Sequence, residues 1–209
     1  HRTSDLAEAV DIALTHQKNG EPCAVAYHGN IVDLLEYLYE KQVHVDLMSH
    51  QTSCHVPYDG GYCPQGLSFA ERTRMLAEEP EAFRALVDQT LQHHYEMICK
   101  FHDRGTYFFD YGNSFLKAVY DSGVKAVCKN GENDLDGFVF PSYVEDILGP
   151  CLFDYGYGPF RWGCLSRKPE DLRKTDAAAA EYIRTHNRRY QDYDNYVWVR
   201  DAEKNRLVV

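Results

Sequence analysis

The stretch from Cys23 to Met48, "CAVAYHGNIVDLLEYLYEKQVHVDLM", constrains the fold more than any other. It starts with an apolar run, Cys23-Ala24-Val25-Ala26-Tyr27, and breaks at Gly29-Asn30. It then carries Leu34, Leu35 and Leu38 at helical spacing between Ile31 and about Lys41, and closes on a second short run, His44-Val45-Asp46-Leu47-Met48. An apolar run without alternation predicts a strand buried on both faces, and the leucine stripe predicts a helix with one buried side. Strand, helix and strand in that order predict a parallel pair joined by a crossover, which is α/β architecture. Open sheets of this kind bind ligands beyond the carboxyl ends of their strands. Gly29-Asn30 and the loop opening at Ser49 are therefore the places to look for a site.

The flanking segments follow the same grammar. Ser4 is predicted to cap a helix from Asp5 to about Lys18, with Gly20 placed to stop it. Ser68-Phe69-Ala70-Glu71 reads as a capping box that opens a helix. Pro80 opens a longer one to about Asp103, with Phe83, Val87, Leu91, Tyr95 and Ile98 on one face. Tyr107 to Asp110 is a third strand candidate that ends at the turn Tyr111-Gly112-Asn113. "CKNGENDLD", from Cys128, predicts an exposed loop, and Pro141 begins a short helix through Leu148. Pro169 opens a helix through about Thr185, and the last twenty-odd residues predict an amphipathic helix that runs into a strand ending at Val209.

The loop "QTSCHVPYDGGYCP", Gln51 to Pro64, is the densest in chemistry, and composition narrows what it can do. A net charge of -10 argues against a surface that tracks phosphates, so nucleic acid is not an expected partner. No apolar run is long enough to cross a bilayer and no basic-then-apolar leader opens the chain, so no membrane association is expected. Seven cysteines without paired spacing read as reduced thiols, which fits a cytoplasmic protein. Three uses of the loop compete. Cys54, His55 and Cys63 match no zinc spacing, so no metal is expected there. A Cys54–His55 nucleophile pair is disfavoured because adjacent side chains in extended backbone point apart. The neutral donors of Asn30, Gln51, Thr52 and Ser53 suit a diphosphate or a ribose without a basic patch, although turn and cap chemistry accounts for each of them singly. The chain lacks a GxGxxG motif. His93, His94, Cys99 and His102 read as the solvated side of the long helix.

Read in order, "YHGN", "QTSCH…P…GGY", "FFDYGN", "PSYVEDILG", "GPFRW…LS" and "KTDAAA" resemble the urocanase family over almost the whole chain. The resemblance implies an α/β fold, here the second half of a doubly wound, Rossmann-like NAD-binding domain plus a return into a core domain. Residues 1–140 would belong to the NAD-binding domain and 141–209 to its end and the return segment. It implies an enzyme, a hydro-lyase of histidine breakdown, that adds water to urocanate to give 4-imidazolone-5-propionate. Tightly held NAD+ would serve as an electrophile without net hydride transfer. The segment by itself is expected to be inactive, because the reactive cysteine and the catalytic aspartate match positions beyond Val209 and the glycine-rich phosphate turn matches positions before His1. Cofactor contacts carry over to Asn30, Ile31, Gln51, Thr52, Ser53, Cys54, His55, Tyr62, Cys63 and Tyr111. His50 stands where the family usually has Asp, and Val56 where it usually has Asn or Asp.

Arg161 is the only basic residue between Lys129 and Arg167. An ion pair or a cation–π contact accounts for it structurally. The resemblance gives it the carboxylate of urocanate instead, which a guanidinium fork suits. The remainder of the urocanase polypeptide and a second copy, as a homodimer, are the implied partners. A nicotinamide-dependent oxidoreductase fragment and a non-catalytic dinucleotide-binding module are the alternatives.

Overall fold

The computed structural model describes residues 1–51, 53–155 and 164–205, with backbone alone for Ser53, Tyr155 and 202–205. The chain divides into two compact units, His1–Tyr157 and Gly158–Val209.

Within the first unit, β1 (Arg2–Thr3) leads into α1 (Leu6–Asn19) and β2 (Ala26–Tyr27), and β1 and β2 pair in parallel, with Thr3 opposite Tyr27. Asp5 caps α1, not Ser4: its Oδ1 accepts from the Glu8 amide at 2.9 Å, while the Thr3 hydroxyl holds the Asp5 amide at 3.0 Å and sets the cap one residue later than expected. Gly20 ends α1 at φ 70, a left-handed conformation that residues with a Cβ avoid. The strand expected over Cys23–Tyr27 is only two residues long, and Cys23 and Ala24 are exposed. It is buried on neither side as a central strand would be, because on its open edge lies a groove and, among the described residues, no further strand.

Asn30 caps α2 (Ile31–Glu40), which crosses over to β3 (Leu47–His50). β3 lies three residues later than expected because its register is set by β4 (Tyr107–Asp110): Leu47 faces Tyr107 and His50 faces Asp110 in a parallel ladder. Between β2 and β3 runs an apolar groove of about 540 Å³, with Val25 and Tyr27 on one side, Val45 and Leu47 on the other, and α1 and α2 side chains such as Val10, Leu14 and Leu34 along it.

Two short 3₁₀ turns, Ser53–His55 and Pro57–Asp59, build the loop after β3. Gly60 then turns at φ +91 with the side chains of Arg72 and Leu76 so close that a Cβ would sit within 3.0 Å of both. The capping box at Ser68 opens α3 (Phe69–Glu78) with both reciprocal hydrogen bonds present, and Pro80 opens α4 (Pro80–Asp103). All five residues of the expected α4 stripe, from Phe83 to Ile98, are buried. They pack with Phe108, Phe115, Leu116 and Phe140 into the core.

α5 (Ser114–Asp121) follows β4 directly. On its other edge β4 bridges to Ser142, with the Asp110 amide donating to the Pro141 carbonyl at 3.0 Å. Pro141 is therefore extended and does not start a helix; Ser142 caps a wide π turn over Tyr143–Leu148 that continues into α6 (Gly149–Cys151). Lys129 to Asp136 forms the expected loop, stitched by Asn130, whose Oδ1 accepts from the Glu132 and Asn133 amides, but Cys128 at its start is buried in the core and bridges to Phe138.

In the second unit α7 (Pro169–Thr185) and α8 (Tyr190–Asn205) pack together. Both helices lie where expected, although α8 leaves Tyr190, Tyr193 and Trp198 exposed and is not the amphipathic helix expected; the terminal strand falls in 206–209, outside the described residues. Among the described residues no helix is long and apolar enough to cross a membrane.

Candidate functional site

Three turns follow the carboxyl ends of β2, β3 and β4, and the side chains that join them define the site. Asn30 connects two of them. Its Oδ1 accepts from the Val32 amide at 2.9 Å to cap α2, and its Nδ2 donates to the Cys63 carbonyl at 3.0 Å. The first turn is thereby fastened to the far end of the Gln51–Pro64 loop. Gln65 reinforces the joint, with Nε2 donating to Asp33 Oδ1 at 2.8 Å and to Glu36 Oε2 at 2.7 Å. The Asn30 side chain has both ends committed, so its part in any site is to hold backbone in place.

The inner side of the loop is pinned from beneath. Tyr62 is almost fully buried, and its hydroxyl lies 2.9 Å from His94 Nδ1. His94 is 2% exposed, which corrects the expected solvated side of α4. The reason is helical phase: His94 lies seven residues from Val87 and seven from Phe101, both buried. His93, one residue earlier, does reach outward, to Glu36 at 2.7 Å. His50 stacks on Phe115 at 4.7 Å and stands 5.7 Å from the His94 ring. Burial, reinforced by nearby imidazoles, lowers His50 to about 4 and His94 to about 3. Both rings are thus neutral at pH 7, and the Tyr62 hydroxyl shares a hydrogen bond with His94 Nδ1 whose donor is set by the imidazole tautomer. Burial also pushes the Tyr62 hydroxyl's own pKa up.

Cys54 is buried with Sγ 3.9 Å from His50 Nε2, while its sequence neighbour His55 is exposed. The two side chains part, as expected, although the backbone here is a 3₁₀ turn and not extended. A buried thiol beside a neutral imidazole packs as a small apolar group and is no reactive nucleophile. The half-buried Cys63 thiol donates to the Pro64 carbonyl at 3.7 Å and the Leu67 carbonyl at 3.9 Å. Cys54, His55 and Cys63 do not converge on a point.

The outer side of the same loop is open. Gln51 and His55 are exposed, Ile31 and Tyr111 are close to half exposed, and Tyr111 stacks on Tyr143 at 5.3 Å. Between the loop and α5 lies a cavity of about 350 Å³ lined by Cys54, His55, Tyr58, Ser114 and Lys117. The described part of the site therefore sorts into inward residues, Cys54 and Tyr62, that shape the loop, and outward residues, Gln51, His55, Ile31 and Tyr111, that are open to solvent. Thr52, the Ser53 side chain and Arg161 lie outside what is described.

Two residues at the end of β4 were not singled out from the sequence. Asp110 is fully buried, and its Oδ2 accepts from the Phe115 and Leu116 amides at 3.0 and 3.1 Å, which caps α5. Burial raises its pKa despite the pull of those amides and of the Tyr111 and Gly112 amides. Asp110 Oδ1 has no hydrogen-bond partner, and neither does the buried Asn113 Oδ1 next to it in the turn, where Asn113 adopts φ 66. The strand period offered a signal for Asp110: Phe108 and Asp110 share a face, and a face that buries Phe108 buries the carboxylate as well.

Comparison with known proteins gives a consistent picture. Residues 1–147 match the family model of the urocanase Rossmann-like domain, and residues 151–209 that of the urocanase C-terminal domain. The chain is 40% identical to a probable urocanate hydratase of Caenorhabditis elegans over 99% of its own length and 32% of the relative's. It is 42% identical to one of Dictyostelium discoideum (92% of this chain, 30% of the relative) and 40% identical to a urocanate hydratase of Mus musculus (100% and 33%). The chain thus spans about a third of the length of the curated relatives it matches.

Proposed function

Because the chain belongs to the urocanase family, we propose that it forms the cofactor-holding part of a urocanate hydratase, a hydro-lyase that adds water to urocanate to give 4-imidazolone-5-propionate with bound NAD+. The observation that carries the proposal is the Asn30–Cys63 tether, which draws the turns after β2 and β3 together and leaves Gln51, His55, Ile31 and Tyr111 facing out at the carboxyl edge of the strands.

The residues present fit a dinucleotide, and they fit particular parts of it. Both helix N-termini at this edge are already capped from within the chain, α2 by Asn30 and α5 by Asp110. Neither is free to seat a diphosphate, which is left to the glycine-rich turn of the remaining polypeptide. What remains here is neutral: the Gln51 amide, the Tyr111 ring and hydroxyl, and the unpaired Asn113 Oδ1. Groups of this kind hold ribose hydroxyls and a carboxamide. When bound, the nicotinamide would supply an electron-poor ring able to act as an electron sink. The chain's own residues bind and orient: the neutral His50–His94–Tyr62 cluster fixes the loop from below without placing a charge beneath it. Arg161 is assigned the urocanate carboxylate.

The groove between β2 and β3 supports the reading of residues 1–140 as part of a doubly wound NAD-binding domain, with 141–209 its end and the return to a core domain. Flanked by two strands that have no ladder partner on that side among the described residues and lined by α1 and α2, it suits a further parallel strand. The other two thirds of the relatives' length is polypeptide enough to provide one. A cytoplasmic homodimer completes the proposal.

The test is turnover by the full-length polypeptide. Urocanate should be consumed while no NADH accumulates. Stoichiometric NADH would assign the chain to the nicotinamide oxidoreductases, and bound NAD+ without turnover would make it a non-catalytic module.

A further inference from the structure

His1, His16 and Cys23 come from three separate stretches and meet at one corner of the β1–β2 pair. The pairing fixes His1, whose carbonyl accepts from the Ala26 amide at 3.0 Å, beside the entry to β2. The left-handed turn at Gly20 reverses the chain after α1, with the Glu21 amide donating back to the His16 carbonyl at 2.9 Å, and this returns Cys23 past the helix end. The imidazole nitrogens of His1 and His16 and the Cys23 sulfur then lie within 4.8 Å of one another. The His1 and His16 rings sit 5.4 Å apart. Glu21 Oε2 stands 3.1 Å from His16 Nδ1 at an angle that makes no hydrogen bond, although Nδ1 is closed off from solvent. His16 thus carries a shielded nitrogen without a hydrogen bond, and its ring meets a second imidazole and a thiol, a ligand set without its centre.

We propose that His1, His16 and Cys23 bind a divalent transition-metal cation of the zinc class. Two imidazoles and a thiolate select a borderline-soft ion over calcium or magnesium, which take oxygen ligands. Ligand atoms around tetrahedral zinc sit about 3.4 to 3.6 Å apart at its usual bond lengths. The three groups need to close by about 1 Å, which is easy where Cys23 and His1 are exposed. Binding releases the thiol proton of Cys23 to solvent, and water or Glu21 after a rotamer change fills the fourth position. The ion would staple the start of β1, the last turn of α1 and the approach to β2. The proposal does not depend on the hydratase reading, since this corner contributes nothing to the loop edge.

The test uses Co2+ as the probe on the full-length polypeptide after chelation. One equivalent should bring up the visible bands of tetrahedral cobalt with a near-ultraviolet thiolate-to-cobalt band, and Zn2+ should displace both. Cys23→Ser should remove the thiolate band, and His16→Ala should weaken Co2+ binding by about tenfold or more. Cys63→Ser, a thiol outside the cluster, should leave both signals intact. If the wild-type protein shows no thiolate band, or if the band survives Cys23→Ser, the proposal is wrong. Because Cys23 is exposed, Cys23→Ser tests ligation without a threat to folding.

Discussion

Acidification should unfold the loop-bearing unit through His50 and His94, and the size of the effect follows from their burial. An ordinary imidazole takes up its proton near pH 6.5; here burial holds His50 to about 4 and His94 to about 3. The unfolded chain therefore binds protons that the folded chain refuses. The stability due to the neutral rings is full above pH 6.5 and is lost as pH falls from there toward 4 and then 3. At pH 5 unfolding takes up close to two protons, a slope of roughly 2 to 3 kcal/mol per pH unit, and the loss between pH 7 and pH 5 is on the order of 4 kcal/mol. That rivals the whole stability of a small domain, about 5–15 kcal/mol. Asp110 acts in the opposite sense: burial raises its carboxyl above the ordinary value, so its unfavourable charge is relieved as pH falls through that raised value. Urea unfolding of the full-length polypeptide at pH 7, 6 and 5 measures the slope. His94→Gln, whose amide offers the Tyr62 hydroxyl both a donor and an acceptor, should cut it by about half. Stability that stays flat from pH 7 to 5, or an NMR titration of the His94 ring near 6.5, would refute the argument.

Tyr62→Phe removes the hydroxyl that pairs with buried His94 Nδ1 and should cost about 1–3 kcal/mol in urea unfolding; a loss near zero would mean the pair contributes nothing. Asn30→Ala should cost about 2 kcal/mol, half for the cap and half for the tether to Cys63, whereas Asn30→Asp should restore the cap alone. If Asn30→Asp retained NAD+ as the wild type does, the tether would not be what positions the loop. Arg161→Lys should lower kcat/KM for urocanate by about tenfold, or about 1.4 kcal/mol, with bound NAD+ unchanged; unchanged kinetics with a lower melting temperature would give Arg161 a structural role.

Local chemistry made much of this structure legible. The capping box at Ser68, prolines 80 and 169, Gly20 and the stripe from Phe83 to Ile98 each act within a few residues of themselves, so helices α1, α3, α4 and α7 could be read directly. What escaped depends on distant partners. β3 takes its start from β4 sixty residues on, and Pro141 is extended because Asp110 pairs with it. β2 could be read as an apolar run, but its burial depends on whatever fills the adjoining groove. At the site, the sequence located the loop but not its orientation: nothing local says that Cys54 and Tyr62 face in while Gln51 and Tyr111 face out. His94 was misread from its polar type, although its phase with Val87 and Phe101 placed it inside.

The most direct measurement of the central claim, that the loop edge after β3 and β4 holds the dinucleotide, is the NAD+ released per polypeptide when the purified full-length protein is denatured. Wild type should release close to one equivalent. Gln51→Ala and Tyr111→Phe, both outward and outside the core, should each reduce it through the loss of about 1 kcal/mol or more per hydrogen bond, with the urea midpoint unchanged. NAD+ retained at the wild-type level in the double variant, or a wild-type protein that releases none, would contradict the account.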